Sequence, residues 1–243
     1  MYKYETHMHT SPVSKCATAT VRDSLIFYKQ LGYDGVFVTN HFLDGNIGID
    51  NHYFDDNADT TSSVPYEERI EFYFSDYEKG LEVGKEIGIK VFLGVESSYK
   101  GTDFLIYGLD KAWYLAHPKI MEMKKSSQLS FFREQGALVI QAHPFRQARY
   151  IDHVRLFPDR VDGFEVINAS RTDTENKMAL LYADEYHLLK TAGSDNHDGI
   201  EKQILAGMAF ETPLESEMDY IRRIKNGEGH IFTEVNCAGT PSL

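Results

Sequence analysis

The sequence is poor in cysteine and in basic residues, and it has no long apolar run. Its two cysteines, Cys16 and Cys237, are too few for a disulfide framework, which favours a reducing, cytoplasmic location. Lys and Arg number 25 against 37 Asp and Glu, and the net charge of −12 disfavours binding to nucleic acid or to anionic membranes. No apolar run approaches the ~18–20 residues of a membrane span, and the N-terminus has no signal-peptide core. We therefore expect a cytoplasmic protein with neither a nucleic-acid nor a membrane partner.

Hydrophobic residues make up 42% of the chain, and short apolar runs alternate with longer segments of helical spacing. The runs predicted as strands are Tyr2–His9, Gly35–His41, Lys90–Glu96, Phe104–Gly108, Ala137–His143, Gly163–Asn168, Leu188–Ser194, Gly207–Glu211 and His230–Val235. Strict alternation of strand and helix predicts parallel strands joined by helical crossovers. A closed or nearly closed α/β barrel, with residues 1–243 as one domain, fits this pattern better than two domains. A doubly wound open sheet is the alternative.

Residues 42–65 break the alternation with a polar segment that is rich in Asp and Asn and contains no Lys or Arg. Structureless segments of this length are usually either functional or disordered. Because the segment leaves directly from His41, it fits a lid over that residue. A solvated insertion without a role fits the sequence equally well.

Most of the informative polar side chains follow predicted strands at the point where each strand ends. Five are histidines and two are carboxylates: His7, His9, His41, Glu96, His143, Asp195 and His197. In a parallel α/β barrel the carboxyl ends of all strands meet at one face, where catalytic groups concentrate. We therefore expect these seven side chains to converge.

His7 and His9 have the clearest local geometry, because residues two apart in a strand point to the same side. Both imidazoles can therefore reach one ion. Seven nitrogen and oxygen ligands exceed what one tetrahedral Zn²⁺ uses, so the set predicts two or three ions bridged by carboxylates. Clustered divalent ions activate water and bind attacking and leaving oxygens, which favours hydrolysis, of phosphoesters above all.

The ordered set His7-x-His9, Asn40-His41, Glu96, His143-Pro144 and Gly193-Ser194-Asp195-Asn196-His197 resembles the PHP (polymerase and histidinol phosphatase) domain. The resemblance spans about residues 1–200. It implies a distorted (β/α)7 TIM-like barrel with two or three divalent ions, of zinc, manganese or iron. By matching motif, it implies that His7, His9, Glu96 and Asp195 hold one ion, Glu96 and His143 a second, and His41 and His197 a third.

The sequence departs from the family pattern at three positions. Asn40 stands where many members have Asp, which removes a charge next to the predicted ligand His41. Cys16 lies nearest the place of a further ligand in trinuclear members, and a thiolate there would favour Zn²⁺ over Mn²⁺. A small buried thiol is the other interpretation of Cys16. Asp110, with His117 nearby, stands near the place of another family ligand, although a solvated turn residue is an equally ordinary role for an Asp.

Phosphoester chemistry also needs cations for the substrate. Arg146 and Arg171 leave strand ends most directly and are the predicted phosphate contacts, with Arg149 and Lys15 as weaker candidates. Asn168 fits either substrate orientation or a loop contact. We assign the proton that the leaving oxygen requires to Asp195 or His197, with a metal-bound water as the alternative donor.

The function predicted from the sequence is hydrolysis of a small soluble phosphomonoester, in the manner of a histidinol phosphatase, by a metal-bridging hydroxide. One alternative is an amidohydrolase-like enzyme that cleaves C–N or C–O bonds, because the same ions polarise carbonyl groups. The other is a metal-binding module without turnover. The oligomeric state is not encoded in any feature of the sequence that we recognise.

Overall fold

A computed structural model describes residues 1–49 and 62–236. Its strands are β1 (Tyr2–Met8), β2 (Gly35–Val38), β3 (Lys90–Tyr99), β4 (Thr102–Tyr107), β5 (Leu138–Ala142), β6 (Gly163–Asn168), β7 (Leu189–Gly193), β8 (Ile204–Phe210) and β9 (His230–Val235). Its α-helices are α1 (Val21–Gln30), α2 (Tyr66–Ile87), α3 (Lys111–Ala116), α4 (Lys125–Glu134), α5 (Asp173–Glu185) and α6 (Glu217–Lys225). Every strand predicted from the sequence overlaps an observed one.

The strands form one sheet in the order β7-β6-β5-β4-β3-β2-β1-β8-β9. The sheet curls until β1 meets the end of β7, where the His9 N–H donates to the Asn196 carbonyl at 3.0 Å. The Asn196 N–H donates in turn to the His7 carbonyl at 3.3 Å. Strands β1 to β7 thus enclose a nearly closed barrel, and β8 and β9 extend the sheet beyond β1. The predicted α/β barrel is confirmed.

The prediction of parallel strands in strict alternation with helices is wrong at β4 and also at β8 and β9, which run antiparallel to their neighbours. A two-residue turn at Lys100 and Gly101, both at positive φ, returns the chain as a hairpin, so β4 runs antiparallel to β3 and to β5. Positive φ at both turn residues suits the twist of the flanking strands. The first residues of β4 consequently lie beside the carboxyl ends of the parallel strands β1, β2, β3, β5, β6 and β7. We call this edge of the barrel the carboxyl rim.

Aromatic side chains fill the barrel at the end opposite the carboxyl rim. Phe37 stacks on Phe92 with ring centroids 4.8 Å apart, and Tyr220 of α6 lies 4.6 Å from Phe37. All three side chains are buried, which is worth roughly 1.5–3 kcal/mol for each large apolar residue. This packing leaves the polar residues of the barrel concentrated at the other end. In the described ranges no helix combines the length and the apolarity needed to cross a bilayer.

Candidate metal centre

All seven predicted strand-end side chains meet at the carboxyl rim. Their ligand atoms form three groups in which every atom lies within 4.8 Å of the others. One group joins His7, His9 and Asp195, and the other two share a histidine with it. We call His7, Glu96 and His143 the deep group, and His9, His41 and His197 the outer group.

The spacing of these atoms matches metal ligation. The Nε2 atom of His7 lies 3.1 Å from Glu96 Oε1, 3.2 Å from His9 Nε2 and 3.6 Å from Asp195 Oδ1. His143 Nε2 lies 3.4 Å from Glu96 Oε1. A tetrahedral ion with bonds of about 2.1 Å holds its ligand atoms about 3.4 Å apart. The observed separations lie on both sides of that value, so the ligand atoms fit an ion without any movement of the backbone.

Glu96 shows that hydrogen bonding within the protein does not satisfy this cluster. Its side chain is 1% exposed, and nitrogen atoms of His7 and His41 lie 3.1 Å and 2.8 Å from its oxygens, but neither contact has hydrogen-bond geometry. A buried polar atom without a partner is costly, so native proteins rarely leave one. Divalent cations would satisfy both oxygens, and carboxylate and imidazole are suitable ligands for zinc, manganese and iron. The residues present therefore fit the metal ions that the sequence predicts.

Unusual backbone conformations direct two of these side chains into the site. His143 and Asp195 end β5 and β7 at φ 30° and φ 51°, in the left-handed region that non-glycine residues rarely adopt. Gly193 provides the space between them and β1, because a Cβ atom there would lie 2.5 Å from the Cβ of His7 and 2.7 Å from Glu165 Oε1. The glycine at the end of β7 is thus required by the close approach of His7.

Two buried carboxylates, neither predicted from the sequence, hold the deep group in place. Glu165 Oε1 lies 2.9 Å from His7 Nδ1, and its Oε2 accepts from the His143 N–H at 3.0 Å. This contact puts the His7 proton on Nδ1 and leaves Nε2 free for a metal ion. Glu5 accepts hydrogen bonds from the backbone N–H groups of His7 and Ser194, which fixes β1 against the end of β7.

A neutral network supports the outer group. Asn40 Oδ1 accepts from the Ser14 hydroxyl at 2.8 Å, and Ser14 Oγ accepts from the His41 N–H at 3.0 Å. Because the hydroxyl proton of Ser14 goes to Asn40, His9 Nδ1 donates to Ser14 Oγ at 3.1 Å and keeps Nε2 free. Asn40 therefore positions His9 and His41 through Ser14. Asn40 Oδ1 accepts both the hydrogen bond from Ser14 and one from the Thr10 N–H at 2.6 Å.

Burial and neighbouring charges shift the pKa values of the cluster in opposite directions. Burial opposes charge on His7, but the carboxylates of Glu165 and Glu96 outweigh it and hold the pKa of His7 well above its usual value. Burial, reinforced by the positive charges of His197 and His41, lowers the pKa of His9 well below its usual value. His9 is therefore deprotonated and ready to bind a cation, whereas a cation at the deep group must displace a proton from His7.

Cys16 lies at the mouth of the outer group. The residue as a whole is exposed, and Cys16 belongs to none of the three ligand groups. Partial desolvation of the thiol raises its pKa, but interactions with the nearby imidazoles of His197 and His41 outweigh this and lower the pKa to about 6. The structure thus excludes the small buried thiol and places a thiolate beside two imidazoles.

The two predicted phosphate contacts differ in how they are held. The Arg146 guanidinium donates to Asp103 Oδ2 at 3.1 Å and contacts the Tyr150 hydroxyl. Asp103, which was not predicted, begins β4 and lies 3.8 Å from His143 Nε2. Arg171 makes no ion pair with a described residue, and its buried Nε has no hydrogen-bond partner there. Arg149 and Lys15 are exposed.

Three further residues that the sequence analysis singled out belong to none of the three ligand groups. Asp110 is not a ligand, because its carboxylate caps α3 by accepting from the Trp113 N–H at 2.8 Å. His117 stacks on Trp113 at 4.2 Å instead of approaching the cluster. Asn168 donates to Glu165 Oε2 at 2.8 Å and so holds a buried carboxylate in place.

The described part of the 42–65 segment is not a solvated insertion. Phe42 and Ile47 are buried in the core, and Asp44 accepts from the Ser98 N–H at 2.9 Å and from Lys125 Nζ at 2.7 Å. Residues 50–61, which contain Asp50, Asn51, Asp55, Asp56, Asn57 and Asp59, lie outside the described residues, and so does Cys237. The lid stays a prediction.

Fold and side-chain chemistry together define a class of protein, an α/β barrel with a histidine- and carboxylate-rich site for divalent cations at its carboxyl rim. The sequence matches no protein-family model and no curated protein. Among solved structures, the chain is similar to a two-domain protein of Bacteroides vulgatus described as containing a PHP-like metal-dependent phosphoesterase. The two are 15% identical, with a TM-score of 0.65 over 95% of this chain, which spans 64% of the length of that protein.

A second similar structure is a protein of Bifidobacterium adolescentis described as a metal-dependent phosphoesterase, 14% identical, with a TM-score of 0.53 over 81% of this chain and 88% of that one. A third is an amidohydrolase of Chromobacterium violaceum with bound sulfate and no metal. It is 13% identical, with a TM-score of 0.53 over 82% of this chain and 89% of that one. The resemblance to the PHP domain is confirmed at the level of the fold.

Proposed function

We propose that this protein is a metal-dependent phosphoesterase that hydrolyses a small phosphomonoester, of which histidinol phosphate is one example. The convergence of the deep and outer groups at the carboxyl rim, where the group of His7, His9 and Asp195 joins them, is the observation that carries the proposal. The PHP-like phosphoesterases among the structural neighbours support it. We further propose that His7, His9, His41, Glu96, His143, Asp195, His197 and Cys16 bind two or three divalent ions.

The residues around the cluster suit a phosphorylated substrate. Two or three divalent ions bound there would supply an activated water and would neutralise charge on the phosphoryl oxygens. Arg146, fixed by Asp103, presents its guanidinium beside the deep group, and Arg171 offers an unpaired guanidinium nearby. Both can bind phosphate oxygens through paired N–H donors.

We assign proton transfer to the leaving oxygen to Asp195 or His197, with a metal-bound water as the alternative donor, and the lowered pKa of Asp195 favours His197 over it. His197 Nδ1 lies 3.3 Å from Asp195 Oδ1, and the side chain of His197 is 24% exposed, more than that of any other histidine in the cluster. Burial opposes charge on His197, but contacts with Cys16 and Asp195 outweigh it and raise the pKa of the imidazole. When the outer group holds no ion, these contacts favour the protonated imidazole of His197, which lies within reach of solvent and substrate.

Activity against an aryl phosphate after reloading with Mn²⁺, Zn²⁺ or Fe²⁺ tests this proposal. We expect His9→Ala, Glu96→Ala and Asp195→Ala each to lower kcat by about 10²–10³-fold or more, because each removes a group that stabilises charge in the transition state. Asp110→Ala is the matched control and should keep wild-type activity, since its carboxylate caps α3. Full activity in any two of the three cluster variants would refute the assignment.

A second function is favoured by one observation, the likeness to an amidohydrolase. Ions at this site could equally polarise a carbonyl group for cleavage of a C–N or C–O bond. An enzyme of this kind would ignore phosphoesters, and Arg146→Ala and Arg171→Ala would leave its turnover unchanged.

A further inference from the structure

Lys202 is a buried cation that forms no ion pair with the described residues. The residue is 8% exposed, and no described carboxylate lies within ion-pair distance of its Nζ, whose hydrogen bond goes to the Ser170 hydroxyl. A buried ammonium group normally pairs with a carboxylate, because the cost of removing it from water is otherwise uncompensated. In a chain with 37 acidic residues, such an amine indicates a missing anion.

The position of Lys202 connects it to the metal cluster. Ser170 Oγ, which contacts the Lys202 amine, also lies 3.0 Å from the backbone carbonyl oxygen of Asp195 and 3.1 Å from that of Ser194. Two hydrogen-bond contacts therefore separate the amine from the backbone of a cluster residue.

Arg171 adds a second cation near Lys202, and it makes no ion pair with a described residue. Burial lowers the pKa of the Lys202 amine and the positive charge of Arg171 adds to this, although the carboxylates of Asp195, Asp198 and Glu5 act in the opposite direction. Two cations that repel each other, neither with a described carboxylate at ion-pair distance, form a favourable place for an anion. Arg146 differs, because the Asp103 carboxylate already neutralises it at 3.1 Å.

We propose that Lys202 and Arg171 together bind the dianionic phosphate of the substrate, and that Ser170 holds the amine until substrate arrives. Two positive charges without an ion-pair partner among the described residues match the two negative charges of a phosphomonoester better than the single charge of a phosphodiester. Lys202 is thus a substrate-binding residue that selects monoesters. This inference rests on the proposed phosphoesterase function and extends it.

Lys202→Met removes the charge while keeping the length of the side chain, and Lys202→Arg keeps the charge. Lys190→Met is the control, because Lys190 is an exposed lysine that pairs with Asp184. Two quantities are measured: the Kd of inorganic phosphate from thermal shifts, with and without Mn²⁺, and KM and kcat for an aryl phosphomonoester and an aryl phosphodiester.

We expect Lys202→Met to raise the phosphate Kd and the monoester KM by about tenfold or more, as loss of a charged hydrogen bond implies, with unchanged metal content. The diester KM should change little, so the preference for monoesters should fall. Lys202→Arg should stay within about threefold of wild type, because the charge is preserved. If Lys202→Met does not fold, Lys202→Gln replaces it in the same measurements.

Wild-type phosphate Kd and KM in Lys202→Met, with a lower Tm that phosphate does not restore, would overturn the inference and reduce Lys202 to a structural contact. A wild-type enzyme that cleaves no phosphoester would instead contradict the proposed function. The phosphate-binding measurement distinguishes these failures, because it does not depend on turnover.

Discussion

The deep and outer groups lie side by side at the carboxyl rim, but side chains of different chemistry hold them in place. The deep group, with side chains at most 2% exposed, is held by the buried carboxylates Glu165 and Glu5. The outer group opens towards solvent through His41 and His197, is held by the neutral side chains of Ser14 and Asn40, and contacts a thiol.

This difference has consequences for metal binding. An anionic hydrogen-bond acceptor makes an imidazole a stronger ligand than a neutral one does. We therefore expect the deep group to bind its ion more tightly and to release it more slowly. The outer group, with a thiolate available, should favour softer ions such as Zn²⁺ over Mn²⁺.

Removing the charge of Glu165 should have the largest effect on the difference in metal affinity between the deep and outer groups. Glu165→Gln keeps the shape of the side chain but loses the anionic acceptor of His7, and such changes lower metal affinity by about 10–100-fold. Competition with a fluorescent chelator would show the tighter ion weakened and the weaker ion unchanged. Glu86→Gln is the control, because Glu86 is an exposed carboxylate that pairs with Arg22. Unchanged affinity in Glu165→Gln would show that the two groups do not differ in the way that we infer.

The contribution of Glu165 also shows where sequence reasoning stops. The seven strand-end residues were predictable because parallel strands place their carboxyl ends together. Glu165 lies inside β6, in the apolar run Gly163–Asn168, and an acidic residue in such a run was the available signal. Its meaning depends on the close approach of His7 over Gly193, which no local pattern specifies.

Asp103 was missed for a different reason. The periodicity of β4 identifies a strand but not its direction, so the prediction assumed a parallel strand and examined its end. Because β4 is antiparallel, its beginning lies at the carboxyl rim, and Asp103 rather than Asp110 approaches the cluster. The turn at Lys100-Gly101 was the local feature that could have revealed this.

The thiol of Cys16 gives the second test, with a smaller effect. In the metal-free protein its pKa of about 6 means that the thiolate forms as the pH rises through 6, instead of through the usual alkaline range. In a Cys237→Ser background, alkylation by iodoacetamide should reach half its maximal rate near pH 6. At pH 7 it should proceed about two- to threefold faster than that of an ordinary thiol, because the higher thiolate fraction outweighs the lower nucleophilicity.

Adding Zn²⁺ should protect Cys16 from this reagent more than adding Mn²⁺ at the same free concentration. Cys16→Ser, with Cys237 retained, reports the background reaction. A rate profile centred in the alkaline range, without protection by Zn²⁺, would show that Cys16 is not a thiolate ligand of the outer group.

The smallest expected effect concerns the neutral network of Ser14 and Asn40. The acidic residue Asp76 lies next to this network and is linked to Asn40 through Thr10. The Thr10 hydroxyl donates to buried Asp76 at 2.7 Å and accepts from Asn40 Nδ2 at 2.9 Å, so its single proton is already committed. Asn40→Asp removes the donor to Thr10 and adds a second buried carboxylate near Asp76. We expect a loss of about 1–2 kcal/mol in the free energy of unfolding, the cost of leaving such a group unsatisfied.

The double variant Asn40→Asp with Asp76→Asn should recover most of that loss. Thr10 can then donate to the carboxylate at position 40 and accept from the amide at position 76, so that the hydrogen bonds are reversed but complete. Urea unfolding of the two single variants and the double variant forms a mutant cycle, and the coupling energy measures how far the two positions share one charge. Additive effects would mean that Asn40 and Asp76 act independently. Strong coupling would show that this chain carries its carboxylate at Asp76, where it supports the outer group through Thr10 without adding a negative charge beside His41.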